Sequence, residues 1–226
     1  MVITTEMKKI MNISNLPFFS GLTDNEIKEI FKHKNAVFER HFKSGEHIYS
    51  MGQSVNNMGI VVSGSVNIES IDFWENKSIL SNVKEGEAFA ETYALCDEPI
   101  SVNAVAVSGC DIIFVALKEL LSEKNSGFSW HTKLLSNMLK ISITKNLTLS
   151  SRIFCTGAKN IRGRVLTYLS KQALKADSTK FKIPFNRQQL ADYLNVDRSA
   201  LSKELSKMRD EGIIDFNKNS FEIYNV

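Results

Sequence analysis

Residues 186–208 read NRQQLADYLNVDRSALSKELSKM, and the fold turns on how this stretch is read. Asn186 is placed to cap a first helix, along which Leu190, Ala191 and Leu194 recur at helical spacing. Asn195 falls where a tight turn needs a residue that tolerates positive φ. Asp197 is placed to cap a second helix through its carboxylate. There Leu201, Leu205 and Met208 share one face, and Ser199, Ser202, Lys203 and Ser206 fall opposite, flanked by Arg198 in the first turn. Such a helix docks by its apolar side and presents a small, polar, positive side. Entry into the major groove of DNA, with contact to base edges, requires that surface. A solvated amphipathic pair is the alternative, but its outer face would carry long Glu and Lys rather than short hydroxyls.

The flanking segments extend the reading. GIIDFNKNSFEIYNV, residues 212–226, predicts two short strands, Ile213–Phe216 and Phe221–Tyr224, around an Asn-Lys-Asn turn. A helix over Asn160–Ala176, with Ile161, Val165, Leu166 and Leu169 inward, precedes the pair. Three helices and a β wing make a winged helix-turn-helix. Residues 155–226 hold 13 Lys/Arg against 8 Asp/Glu, and residues 1–154 hold 15 against 17. A basic end on a slightly acidic body fits a nucleic-acid-binding part attached to something else.

The 226 residues suit one large domain or two small ones, and 43% hydrophobic with 23% charged residues is ordinary for a chain with a real core. No apolar run approaches the ~20 residues of a membrane helix, and the opening MVITTEMKKIMNISN lacks a signal core. A cytoplasmic protein without a membrane partner is expected. Cys96, Cys110 and Cys155 are far apart and read as buried, reduced thiols. His33, His41, His47 and His131 form no metal-binding spacing, so neither a metal nor a cofactor is expected.

Toward the N-terminus, LPFFSGLTDNEIKEIFKHKN predicts a helix opened by a capping box, Thr23 with Glu26, after the apolar anchors Leu16, Phe18, Phe19 and Leu22. From Ala36 to Leu117 short β-rich segments alternate with glycine turns: AVFERHF, HIYSM, MGIVVSGSVNIESI, SILSNV, SVNAVAV and CDIIFVAL. That spacing predicts an all-β roll. After a short helix, LKELLSE, a long one is predicted over Phe128–Ile153. Leu135, Leu139, Ser142, Asn146, Leu149 and Ile153 form a heptad seam suited to pairing with a second copy, Asn146 fixing the register. A second stripe, Leu134, Met138 and Ile141, can pack on the roll. CTGAKN reads as a hinge into the last domain.

This order of parts, with the segments LPFFSGLTDNEI, KSGEHIYSMGQ, IVVSGSVNI, GEAFAE and NRQQLADYLNVDRSALSKEL, resembles the bacterial regulators of the cyclic-AMP receptor protein and fumarate–nitrate regulator type, the Crp/Fnr family. The resemblance implies an α+β chain. Its N-terminal domain would be a double-stranded β-helix, a jelly roll like those that bind cyclic nucleotides. A long dimerisation helix and a C-terminal winged helix-turn-helix would follow. The domains would be residues 1–127 for the N-terminal helix and effector-sensing roll, 128–154 for the dimer helix and 155–226 for DNA binding. It implies a homodimer on a two-fold symmetric double-stranded DNA site, with RNA polymerase as a protein partner, acting as activator or repressor. Carried over residue by residue, Arg198 matches an arginine that contacts guanine or phosphate, and Ser202 and Lys203 match the next two base-facing positions. Ser199 stands where relatives carry Glu, Asp197 opens the helix, and Arg187 and Gln188 match backbone-contacting positions.

Departures from the family bear on the effector. Cyclic-nucleotide members hold the phosphate with a Gly-Glu pair and a later Arg-Ser. Here Ala90 replaces the glycine, Glu91 remains, and no Arg or Lys lies between Glu91 and Val107. A buried phosphate would lack a compensating cation, so cyclic AMP is not the expected effector. The first cysteine is Cys96, which leaves no N-terminal cluster for an iron–sulfur centre. A small neutral, weakly polar or aromatic molecule is expected, between Phe89, Glu91 and Tyr93 of the roll and Ser150 and Ser151 of the dimer helix. Alternatively Glu91 only satisfies backbone amides and side chains fill the cavity. A cupin-type roll enzyme with an appended binding domain, and a regulator that binds DNA without an effector, are the competing functions.

Overall fold

The computed structural model describes residues 13–33, 36–71 and 77–224. The N-terminal tail through residue 12 and the last two residues of the predicted KHKN helix end lie outside the described residues. The chain forms two compact units, residues 1–142 and 143–226.

In the first unit a 3₁₀ turn, Pro17–Phe19, leads into α1, Asp24–Lys32. The capping box is formed: the Glu26 amide donates to Thr23 Oγ1 at 3.3 Å, and the Thr23 amide donates to Glu26 Oε2 at 2.8 Å. Then come β1 (Val37–Phe42), β2 (His47–Tyr49), β3 (Met58–Ser63), β4 (Ser65–Ile71), β5 (Lys77–Lys84), β6 (Ala88–Phe89), α2 (Glu91–Cys96), β7 (Asn103–Ala106), β8 (Cys110–Val115) and α3 (Leu117–Leu120). α4, Ser129–Thr156, runs on into the second unit.

The strands make two antiparallel sheets, ordered β1-β8-β3-β6 and β2-β7-β4-β5. Alternation along the strands builds two cores from one sheet. Phe42, Val61, Phe89, Ile112 and Phe114 face Ile48, Tyr49, Val66, Val83, Ala104 and Ala106 of the other sheet. Met58, Ile60, Ile113 and Val115 face away, against Phe18, Phe19, Ile27, Ile30, Trp130, Leu134 and Met138. Within β8 the run Ile112–Val115 is apolar without a break because both faces of the strand are covered there. Gly59 is required in this sheet, since a Cβ there would overlap the Phe89 ring. Cys110 is buried as expected, but Cys96 is exposed. The last turn of the short α2 faces solvent there, a placement that spacing between cysteines does not encode. His41 is not isolated either: its Nδ1 lies 2.8 Å from Asp111 Oδ1 on the paired strand.

The start of α4 is held to α1 by polar as well as apolar groups. Glu26, nearly buried, accepts from Lys133 Nζ at 2.8 and 2.9 Å and from Ser129 Oγ at 2.6 Å. Asn137 donates to the carbonyls of Phe18 and Ser20 at 3.0 and 2.8 Å. The ammonium of Lys133 first, then Ser129 and the Thr23 amide, hold the Glu26 carboxyl at about 2, against an ordinary 4.5.

The second unit contains the end of α4, then α5 (Ile161–Ala176), β9 (Lys180–Lys182), α6 (Arg187–Leu194), α7 (Arg198–Asp210), β10 (Ile214–Asn217) and β11 (Ser220–Ile223). Its core joins Val165, Tyr168 and Leu169 of α5 to Leu190 and Leu194 of α6 and to Leu201, Leu205 and Met208 of α7. Cys155 is buried in it. The wing has a third strand, β9, paired antiparallel to β11, beyond the two expected from sequence.

The Glu26 pairing predicts a pH signature. A carboxyl lowered by folding contributes stability fully above about pH 4.5 and loses it as pH falls toward 2. Wild type is expected to melt above Glu26→Gln at neutral pH, with the gap closing between pH 4.5 and 2. A gap constant across that window in thermal melts would contradict the pairing.

Candidate nucleic-acid interface

α6 and α7 are set by local chemistry. Asn186 Oδ1 accepts the Gln189 amide at 2.9 Å while Gln189 Oε1 accepts the Asn186 amide at 2.9 Å, a reciprocal cap. Asn195 adopts φ 53°, the left-handed turn residue the sequence predicted. Asp197 Oδ1 accepts the amides of Ser199 and Ala200 at 2.8 and 2.9 Å. Those bonds, with the Ser199 hydroxyl first, hold its carboxyl below the ordinary range. A cap of this kind is worth about 1 kcal/mol.

The turn is then clamped from outside. Arg152, near the end of α4, donates to the carbonyls of Tyr193 and Asp192 at 3.2 and 2.9 Å. Arg164 of α5 donates to those of Leu194 and Asn195 at 3.1 and 2.8 Å. The Asp192 carbonyl also takes the Asn195 amide at 3.3 Å, whereas the carbonyls of Tyr193, Leu194 and Asn195 lie past the last intrahelical donors of α6. Arg162 joins α5 to α7, bonding Glu204 at 2.6 Å and Glu211 through two nitrogens at 2.7 and 3.0 Å.

What remains outward on α7 is the face expected from sequence. Leu201, Leu205 and Met208 are fully buried, whereas Arg198, Ser199 and Lys203 are exposed and Ser202 is half-buried. The guanidinium of Arg198 and the ammonium of Lys203 make no hydrogen bond within the described residues. Ser199 donates to Asp197, and Ser202 donates to the Arg198 carbonyl at 2.9 Å, which leaves their hydroxyl oxygens as acceptors. Gln188 donates to Asp192 Oδ1 at 2.8 Å on the exposed side of α6. Arg187 is half-buried, its guanidinium carbon 4.9 Å from the Phe216 ring centre and 5.9 Å from that of Phe221.

The other candidate residues lie apart from this face. Leu135, Leu139, Ser142, Asn146, Leu149 and Ile153 are all exposed on α4, and Leu139, Leu149 and Ile153 are exposed by 60% or more. Ile143, Leu147 and Phe154, outside the heptad seam, are exposed as well. Leu134 and Met138 are buried against the roll. Phe89 is buried inside the roll, Glu91 opens α2, and the Tyr93 hydroxyl is 2.6 Å from Ser101 Oγ. Ser150 and Ser151 lie in the second unit. Ser150 bonds Asn146 Oδ1 at 3.2 Å, and Ser151 donates to the Leu147 carbonyl at 2.7 Å.

Two family descriptions match this chain. "Cyclic nucleotide-binding domain" matches residues 39–124, and "Crp-like helix-turn-helix domain" matches residues 163–226. Together they take in about two thirds of the sequence, in the order that the sequence segments implied. The chain belongs to the Crp/Fnr family of DNA-binding transcription regulators. Among solved structures this regulator is similar to CprK in complex with OCPA, at 16% identity over 88% of this chain and 92% of that one, with a TM-score of 0.64. It is also similar to the c-di-GMP-responsive global regulator CLP of Xanthomonas campestris, at 15% identity over 90% and 100%, TM-score 0.57. FixK2 of Bradyrhizobium japonicum gives 20% identity over 84% and 93%, TM-score 0.50. These likenesses concern the fold. No curated protein matches the chain. Among the described residues no helix is long and apolar enough to cross a membrane.

Sequence reasoning on this Crp/Fnr regulator missed Arg152 and Arg164. The arginine clamps join residues 30 to 41 positions apart, beyond any local pattern. Replacing Arg198 or Lys203 by Ala is expected to cost ~1–3 kcal/mol of DNA affinity and to relax preference at one base pair. Equal losses on specific and random duplexes would remove both from base reading.

Proposed function

We infer that this regulator works as a homodimer that reads a two-fold symmetric DNA site through α7 of each copy. The observation that carries the reading is the division of α7, whose apolar side is fully buried while Arg198, Ser199 and Lys203 stand exposed. Residues 128–154 are the dimerisation segment. Its support is a run of large apolar side chains left exposed along α4, more than a lone helix surface carries without a partner. Ser142 and Asn146 interrupt the seam and set its register.

The effector, on this reading, is not cyclic AMP, because the segment from Glu91 to Val107 holds no Arg or Lys to neutralise a phosphate. A small neutral ligand near Glu91 and Tyr93 is the class proposed. A second reading, DNA binding without an effector, is favoured by one feature: Phe38, Phe42, Tyr49, Phe89 and Phe114 crowd the roll interior with ring centroids 5.2 to 6.2 Å apart. A cupin-type enzyme is disfavoured, since His41 and His47 sit on β1 and β2, strands of different sheets, and His41 pairs with Asp111.

Replacing Leu139 and Leu149 with Glu would set carboxylates against each other in a closed seam. Analytical ultracentrifugation is expected to show a dimer for wild type and a monomer for this variant, with cooperative DNA binding lost. In parallel titrations cyclic AMP is expected to leave wild-type DNA affinity unchanged. A wild-type monomer at micromolar concentration, or saturable cyclic AMP binding there, would each overturn the corresponding half of the proposal.

A further inference from the structure

The second unit carries six arginines, and the structure divides them. Arg152, Arg162 and Arg164 bond carbonyls or carboxylates within the chain. Arg187, Arg198 and Arg209 donate to no acceptor among the described residues. Arg198 is accounted for by base reading, which leaves Arg187 and Arg209. Both lie over one ring, Phe216, at 4.9 and 5.2 Å from its centre, and that ring stacks on Phe221 at 5.7 Å.

Two guanidiniums gathered on one ring attract the ring face but repel each other. Neither guanidinium forms an ion pair among the described residues; Glu211 holds Arg162, and Asp215 accepts the Phe216 amide at 2.8 Å. At the start of α6, Asn186 and Gln189 take each other's amides, so the cap leaves the Arg187 guanidinium unengaged. Arg209 stands on the polar stripe of α7 that runs through Arg198, Ser202 and Ser206, about 16 Å along the axis from Arg198. Burial also lowers the Arg187 pKa, as expected of a cation held without a counter-charge.

We propose that Arg209, held with Arg187 by the Phe216 ring of the wing, joins Arg187, whose family position already implies a backbone contact, in a two-guanidinium clamp on the DNA backbone beyond the base-reading part of α7. This rests on the DNA-reading role of α7 inferred above. Backbone phosphates, one for each guanidinium, compensate the two charges, and guanidinium planes suit phosphate geometry. Phe216 is a positioning residue: it touches no phosphate but fixes the two groups that do.

The test measures the affinity of full-length protein for a selected site and for a random duplex across a range of salt. Arg187→Gln and Arg209→Gln are each expected to make the slope of log affinity against log salt shallower by about 0.9 on both duplexes. Phe216→Leu should flatten the slope as the arginine variants do, and adding it to the Arg187→Gln, Arg209→Gln pair should change nothing further. Phe216→Tyr, which keeps the ring, should behave as wild type. Melting temperatures of all variants are recorded alongside. A Phe216→Leu protein that loses melting temperature and affinity while keeping the wild-type slope shows a purely structural ring and overturns the proposal. Unchanged slopes in the two arginine variants, with Arg198→Ala still relaxing base preference, overturn the clamp and leave the DNA reading standing. Wild type that binds neither duplex overturns both.

Discussion

The carbonyls of Tyr193, Leu194 and Asn195 at the end of α6 must find donors, and two guanidiniums supply them. Everything that α7 can do depends on this junction. The positive-φ turn at Asn195 sets the change of direction, and Asp197 starts the next helix by taking its first amides. Arg152 and Arg164 then fix where that turn sits relative to α4 and α5. Because Arg152 belongs to the last turns of α4, a rotation of that end of α4 would carry the turn with it or break charge-assisted bonds. That is a physical link between α4 and the turn that leads into α7, built from one side chain.

α4 meets opposite demands at its two ends. Its first turns are tied down by Lys133, Ser129 and Asn137 and by the buried Leu134 and Met138. Along the same helix Leu139, Leu147, Leu149 and Ile153 face outward without cover. This division of α4 is what supports the proposed pairing with a second copy of the chain.

Much of this was legible in the sequence wherever the chemistry is local. Caps at Thr23, Asn186 and Asp197 act over two or three residues, and the faces of α6 and α7 follow the helical period. Glycine turns marked the roll because strands had to reverse between them. Legibility failed where partners are distant. The Arg162 bridge spans 49 residues to Glu211, and β9 is three residues long, too short for any period to show. Cys96 was misread because exposure at the end of a six-residue helix depends on what packs around it. Nothing in the sequence places two arginines over the Phe216 ring.

The central claim is that two copies of α7 read one symmetric site. Selecting sequences bound by the full-length protein from random double-stranded DNA tests it most directly. The account predicts an inverted repeat whose half-sites are centred about one helical turn apart, ~34–36 Å. Enrichment of a single unrepeated half-site, or of no sequence at all, would contradict it.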